Sequence, residues 1–189
     1  RYQQRFGHHN IIVAEAALPI AHTPTDETLL PQVLGKAGYH TAMVGKWHLG
    51  LQDGCRPYER GFEEFFGIIT GGHDYFVNHP DERATGDGSY KARIERNGPV
   101  GEKVPGYLTD AFGADAERVI RESHEKRPGR PFFLYLAFNA PHTPTQAPED
   151  LTDAMPATLE GKNRRACAAQ IAAMDRAIGR VRRALKDTG

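Results

Sequence analysis

Cysteine is nearly absent from this chain of 189 residues: only Cys55 and Cys167 occur. Two are too few for a disulfide framework, and without a CxxC spacing they support neither zinc nor redox work, so both are expected as free thiols. Net charge is missing as well, because 24 basic residues balance 24 acidic ones. No global field is left to draw in nucleic acid or an anionic membrane, and function must come from local placement of charge. No apolar run is long enough to cross a bilayer, and the opening RYQQRFGHHN lacks the apolar stretch of a secretory signal. The absence of any N-x-S/T acceptor leans against a secreted eukaryotic protein. There is no internal repeat and no low-complexity tract, and the length suits one domain with a sizeable core.

What is present is a recurring unit: a helix runs into an apolar strand that opens into a polar loop. The first begins at TPTDETLL, where Thr25, Asp26 or Thr28 can cap a helix with Leu29, Leu30, Val33, Leu34 and Ala37 on one face. Pro31 fits its first turn and Gly38 its left-handed stop. TAMVG then reads as a short strand that ends in the loop KWHLG. The second unit begins at GYLTDAF, with Thr109 as cap and Leu108, Phe112, Ala116, Val119 and Ile120 as the apolar stripe. FFLYLAF (132–138) has no polar alternation, which predicts a strand buried on both faces, and it opens into NAPHTPTQAP.

Between the units, a glycine-rich and aromatic stretch leads into residues 77–104, an excursion that suits a surface loop with a hairpin over a site. From Asn163 to Lys186, the spacing of Cys167, Ile171, Met174, Ile178, Val181 and Leu185 predicts a long amphipathic helix with that stripe inward.

Helices alternating with buried strands imply an α/β fold with a parallel or mixed sheet, and ligands of such sheets bind beyond the carboxyl ends of the strands. Lys46 and His48 follow one such end and His142 follows another. Their convergence suits a tetrahedral oxyanion ester: the lysine sets a compact charge against non-bridging oxygens, and the histidines move protons. Each residue also has a structural reading. His48 can be an ordinary loop residue, and His142, inside PHTP, part of a rigid turn. His73 and Asp74 in GGHDYF can form a glycine turn with an Asx bond. His8 and His9 are too close in sequence for a metal site of their own. Trp47 reads as a wedge in its loop, Phe62, Phe65 and Phe66 as packing, and Asp175 as a structural residue of the long helix.

Taken together, GYHTAMVGKWHLG, RPYERGFEEFFGIITGGHDYF, FFLYLAFNAPHTPTQAP and AAMDRAIGRV resemble, in order and spacing, the middle of the formylglycine-dependent sulfatases of the alkaline-phosphatase-like superfamily. The match covers nearly the whole chain, and Arg1 and Tyr2 resemble the end of the family's C/S-x-P-S-R…T-G-R-Y segment. The resemblance implies a largely parallel mixed sheet flanked by helices, here incomplete, and hydrolysis of an aryl or carbohydrate sulfate. By motif position Lys46 resembles the lysine that binds sulfate, and His48 the histidine that hydrogen-bonds the formylglycine hydroxyl. His142 resembles the histidine that contacts sulfate and protonates the leaving oxygen, and His73 lies in a segment lining the sulfate pocket. Catalytic roles are thus implied for Lys46, His48 and His142, and substrate contacts for Lys46, His142 and His73.

The departures are equally specific. Neither cysteine stands in a C-x-P-S-R context, so the formylglycine nucleophile is expected outside this chain. The same holds for the calcium, or other divalent cation, whose ligands the family draws from an early Asp-Asp pair and a later Asp-Asn pair. The chain is therefore expected to be the central portion (1–189) of one catalytic domain and inactive alone, with a sulfated small molecule or saccharide as partner, no nucleic acid and no membrane span. A periplasmic or secreted bacterial location is implied by resemblance only. The alternatives are a phosphoester or phosphonate hydrolase of the same superfamily and a non-catalytic fragment that binds sulfated ligands.

Overall fold

The computed structural model describes residues 22–76, 94–99, 101–104 and 106–189. Arg1, Tyr2, His8, His9 and most of the excursion expected at 77–104 lie outside the described residues. In chain order the elements are α1 (Leu30–Lys36), β1 (His40–Lys46), a 3-10 turn (Pro57–Glu59), β2 (Glu64–Ile68) and β3 (Ile94–Arg96). There follow α2 (Leu108–Lys126), β4 (Phe132–Ala137), α3 (Glu149–Asp153) and α4 (Lys162–Thr188). The strands form one sheet in the order β3-β2-β1-β4. β2 and β4 both run parallel to β1, and β3 is antiparallel to β2, so the sheet is mixed, largely parallel and flanked by helices.

β1 and β2 are both buried on two faces. Ala42 and Val44 point into a core shared with Phe66, Ile68, Ile94 and the α2 residues Leu108, Phe112 and Val119. Met43 points the other way, into a cluster with Trp47, Phe62, Phe65 and Ile69. β4, expected to be covered on both faces, pairs only with β1 among the described residues, and its Tyr135 is 45% exposed. Leu134 and Leu136 pack on one core and Phe133 and Ala137 on the other, but all stay partly exposed, and no strand lies beyond β4 among the described residues.

Helix ends and faces also depart from expectation. Thr25, Asp26 and Thr28 do not cap α1; its cap is Leu29, whose N–H donates to Gln32 Oε1 at 2.7 Å. Pro31 is buried in the first turn and Gly38 takes φ +94°, but Leu30 and Val33 face outward. α2 starts from Tyr107, which leaves Thr109 inside the helix, and all five residues of its expected stripe are buried.

On α4 the buried side is Ala169, Gln170, Ala173, Ala177 and Ala184, whereas Ile171, Ile178 and Leu185 are exposed. The reason is a close helix crossing. A Cβ placed on Gly113 of α2 would lie 2.8 Å from Ala177 Cβ, so only small residues fit between the two axes. Ion pairs Asp110–Arg176, Glu117–Arg180 and Arg121–Asp187 ascend together along both helices, which shows that they run side by side in the same direction.

Gly113→Ala should therefore overpack this crossing and cost about 1–3 kcal/mol of folding stability, measured by chemical denaturation. The same substitution at Gly98, where a Cβ would meet nothing within 4 Å, serves as control.

Candidate active site

Three strands end level with one another, because Lys46 pairs with Ile68 and Gly45 with both Gly67 and Ala137. The row is bare backbone. Gly45 has φ +115°, and a Cβ there would fall 1.9 Å from Ala137 O, while one on Gly67 would fall 1.9 Å from Gly45 O. No side chain can occupy either glycine position, and the left-handed turn at Gly45 sets the direction in which Lys46 leaves the sheet.

Beyond the row, the chain after β1 keeps to β2: Trp47 N–H donates to Ile68 O at 2.9 Å and His48 N–H to Ile69 O at 3.2 Å. Trp47 is a wedge, as its sequence context suggests. It is buried, its indole N–H donates to Cys55 O at 2.9 Å, and its ring meets Phe62 edge-on. His48 carries φ +56°, a region that favours glycine. Holding a histidine there costs on the order of 1 kcal/mol, a form of strain that gathers at functional sites. Its half-buried ring lies over the turn after β2, since a Cβ on Gly71 would come within 2.7 Å of His48 Cε1 and 2.8 Å of Nε2.

That same turn is tied to the loop after β4. His73 is fully buried with Nδ1 2.5 Å from Asp74 O, and its carbonyl accepts from Asn139 Nδ2 at 3.2 Å. Asp74 Oδ1 accepts from Gln146 Nε2 at 3.3 Å, Tyr75 N–H donates to Gln146 Oε1 at 2.7 Å, and Tyr75 OH donates to His142 O at 3.0 Å. Because β1 lies between β2 and β4, loops that join across those two strands pass over the end of β1, where Lys46 stands.

Lys46 is half-buried, and burial pulls its amine below the ordinary lysine value. An anion placed against it restores the charged form. His142 is exposed; its Nδ1 lies 2.7 Å from Thr143 O, and since a carbonyl only accepts, Nδ1 carries the hydrogen. In the neutral ring Nε2 is then the proton acceptor, and in the charged ring it is the donor.

The loops bearing Lys46 and His48, His73, and His142 thus follow the carboxyl ends of three neighbouring strands, with His142 at the surface and His73 enclosed. Asp175 is exposed on α4, Phe62, Phe65 and Phe66 are core, and both cysteines are free. Among the described residues no three His, Cys, Asp or Glu side chains gather to hold a metal ion. The sequence reading missed Asn139, Gln146, Tyr75 and Gln170, which join these loops. Only Gln170 carried a signal, as an amide set among alanines in RACAAQIAAM.

The family profile described as Sulfatase matches residues 1–189. Arylsulfatase J of Mus musculus is 35% identical over 167 residues, which cover 88% of this chain and 27% of that protein. N-acetylgalactosamine-6-sulfatase of Rattus norvegicus is 37% identical over 128 residues, covering 66% of this chain and 24% of that protein. The crystal structure of Ps i-CgsB superposes over 100% of this chain and 42% of its own with a TM-score of 0.87 and 32% identity. A second structure of that protein holds k-i-k-neocarrahexaose, with a TM-score of 0.88 over the same shares and 31% identity. The chain therefore spans about a quarter of the length of these two relatives.

Two outcomes follow from the geometry. Gly71→Ala should displace the His48 ring, seen as a shift of its imidazole resonances that the distant Gly98→Ala lacks. Because burial lowers the Lys46 amine, affinity for any oxyanion seated against it, probed with inorganic sulfate, should be strongest below its lowered value and fall as pH rises through it. In Lys46→Arg, whose charge persists at higher pH, that fall should be absent from calorimetric titrations across pH.

Proposed function

The chain belongs to the sulfatase family, and from that premise we propose that it supplies part of the active-site wall of a sulfuric ester hydrolase acting on a sulfate monoester, aryl or saccharide. The observation that carries this reading is the bonding of the turn after β2 to the loop after β4 across the end of β1, the strand that finishes in the half-buried Lys46. A saccharide is the favoured substrate class, because N-acetylgalactosamine-6-sulfatase names one and Ps i-CgsB holds one.

In this reading Lys46 sets its ammonium against the non-bridging sulfate oxygens, where partial burial strengthens the attraction. His142, charged before the reaction, donates its Nε2 proton to the bridging oxygen as the S–O bond breaks, so the alcohol leaves neutral. Its Nδ1–H stays on Thr143 O throughout and keeps the ring aimed. His48, fixed over Gly71, holds and moves a proton at the hydroxyl of the nucleophile. His73, enclosed behind its turn, shapes the pocket wall.

Formylglycine, when present, supplies the attacking oxygen, and the residues able to meet it here are Lys46 and His48. The divalent cation of the family finds no fitting ligand set among the described residues, so no step is assigned to it. We place both groups on segments outside 1–189, with this chain as the central portion of one catalytic domain.

In the complete catalytic domain, Lys46→Ala and His142→Ala should each lower kcat/KM for a nitrophenyl sulfate and for a sulfated oligosaccharide by about a hundredfold or more. The 189-residue chain alone should turn over neither. Preferential hydrolysis of the matching phosphate monoester by the intact domain would replace this reading with a phosphoesterase.

A further inference from the structure

Gln170 is the polar residue on an otherwise alanine-lined buried face of α4, and it is fully enclosed. A primary amide in such a place is unfavourable unless its hydrogen bonds are made. Its Nε2 donates to Pro144 O at 3.2 Å and reaches His142 O at 3.4 Å. Its Oε1 is buried without a hydrogen-bond partner. The amide is therefore not placed for its own satisfaction. Turned over, it would aim its oxygen at two carbonyls, so this orientation is the one that the loop permits.

We infer that Gln170, together with Tyr75, is a positioning residue for His142, holding the peptide from which the imidazole is aimed. This rests on the proton-donor role proposed for His142.

The connection is continuous. The carbonyl of His142 accepts from two side chains, Tyr75 OH at 3.0 Å and Gln170 Nε2, which uses both of its lone pairs. The carbonyl of Pro144 accepts from Gln170 Nε2 and from Gln146 N–H at 2.9 Å. The carbonyl of Thr143, between these two pinned groups, holds Nδ1 of the His142 ring. Fixing the outer carbonyls fixes the middle one, and the middle one fixes tautomer and direction of the imidazole.

The two donors come from different elements, Tyr75 from the turn after β2 and Gln170 from α4. Burial pushes the Tyr75 phenol far above its ordinary range, so it stays a hydrogen donor at any working pH. Tyr75 itself is held by Gln146 through its N–H, and its ring stacks on Tyr107, whose hydroxyl donates to Gln146 O at 3.0 Å. Neither donor needs to touch substrate; each acts through the backbone of the 139–146 loop.

Two substitutions test this in the complete catalytic domain: Gln170→Leu, which keeps approximate shape without donors, and Tyr75→Phe, which removes one hydroxyl. Each should lower kcat on a nitrophenyl sulfate by about tenfold and leave KM within about twofold, because misdirection of a proton donor penalises the chemical step. The double variant should lose more than the product of the single losses, since one donor partly covers for the other on His142 O.

Nitrogen NMR supplies a readout independent of turnover. Neutral His142 should show the Nδ1–H tautomer in the parent and a mixture in Gln170→Leu, in Tyr75→Phe and in the double variant, while thermal midpoints stay near that of the parent. An unchanged tautomer and unchanged kcat in the double variant would overturn the proposal. If Gln170→Leu fails to fold, Tyr75→Phe decides by the same two readouts. If the parent turns over no sulfate ester, the functional reading falls, and the tautomer comparison alone settles positioning.

Discussion

Everything at the candidate site depends on how closely three backbones approach at Gly67, Gly45 and Ala137. Side chains are excluded from the two glycine positions because a Cβ there would overlap a neighbouring carbonyl. The strands therefore end at one level, and their loops depart side by side. A chain with no net charge can then set positive and proton-bearing groups at the carboxyl end of the parallel strands. Burial adds to the effect: it lowers the Lys46 amine below its ordinary value, a shift that an adjacent anion would oppose.

Much of this was readable in the residues, and the limits have physical causes. Alternating helices and apolar strands, the α2 stripe, Pro31 and Gly38, and loops bearing Lys46, His48 and His142 after strand ends all follow from short-range periodicity and turn chemistry. Which strand is central is not a short-range property. FFLYLAF is more apolar than TAMVG, yet β1 takes the inner place, where Gly45 lies so close to Gly67 and Ala137 that no Cβ would fit. The α4 face failed for a related reason. Ile171, Ile178 and Leu185 are more hydrophobic than the buried alanines within two positions of them, but the distance between helix axes is set by Gly113 on a different element. Caps failed because Thr25, Asp26, Thr28 and Thr109 are good candidates by type and sit one or more residues from where their helices begin. Tyr75, Asn139 and Gln146 were invisible for the plainest reason: their partners lie some seventy residues away for most of these bonds.

The sulfatase relatives give the exposed surfaces a meaning. Ile171, Ile178 and Leu185 recur every seven residues along one line of α4, and the outer side of β4 has no partner among the described residues. On the proposal that 1–189 is the central portion of a larger catalytic domain, these are the places where further strands and helices dock. On the same proposal this portion carries the lysine and histidines of the site, on loops joined by amide and phenol hydrogen bonds rather than by salt bridges. The ion pairs lie elsewhere, chiefly along α2 where Arg118 and Arg127 converge on Glu64.

The left-handed backbone at His48 has a further consequence for how this protein can be altered. Glycine or asparagine would sit there with less strain, so selection for heat resistance alone should drift toward removing the imidazole. Variants ranked by melting temperature would then rise in robustness as they lose the group fixed over Gly71, a trade-off written into one dihedral angle.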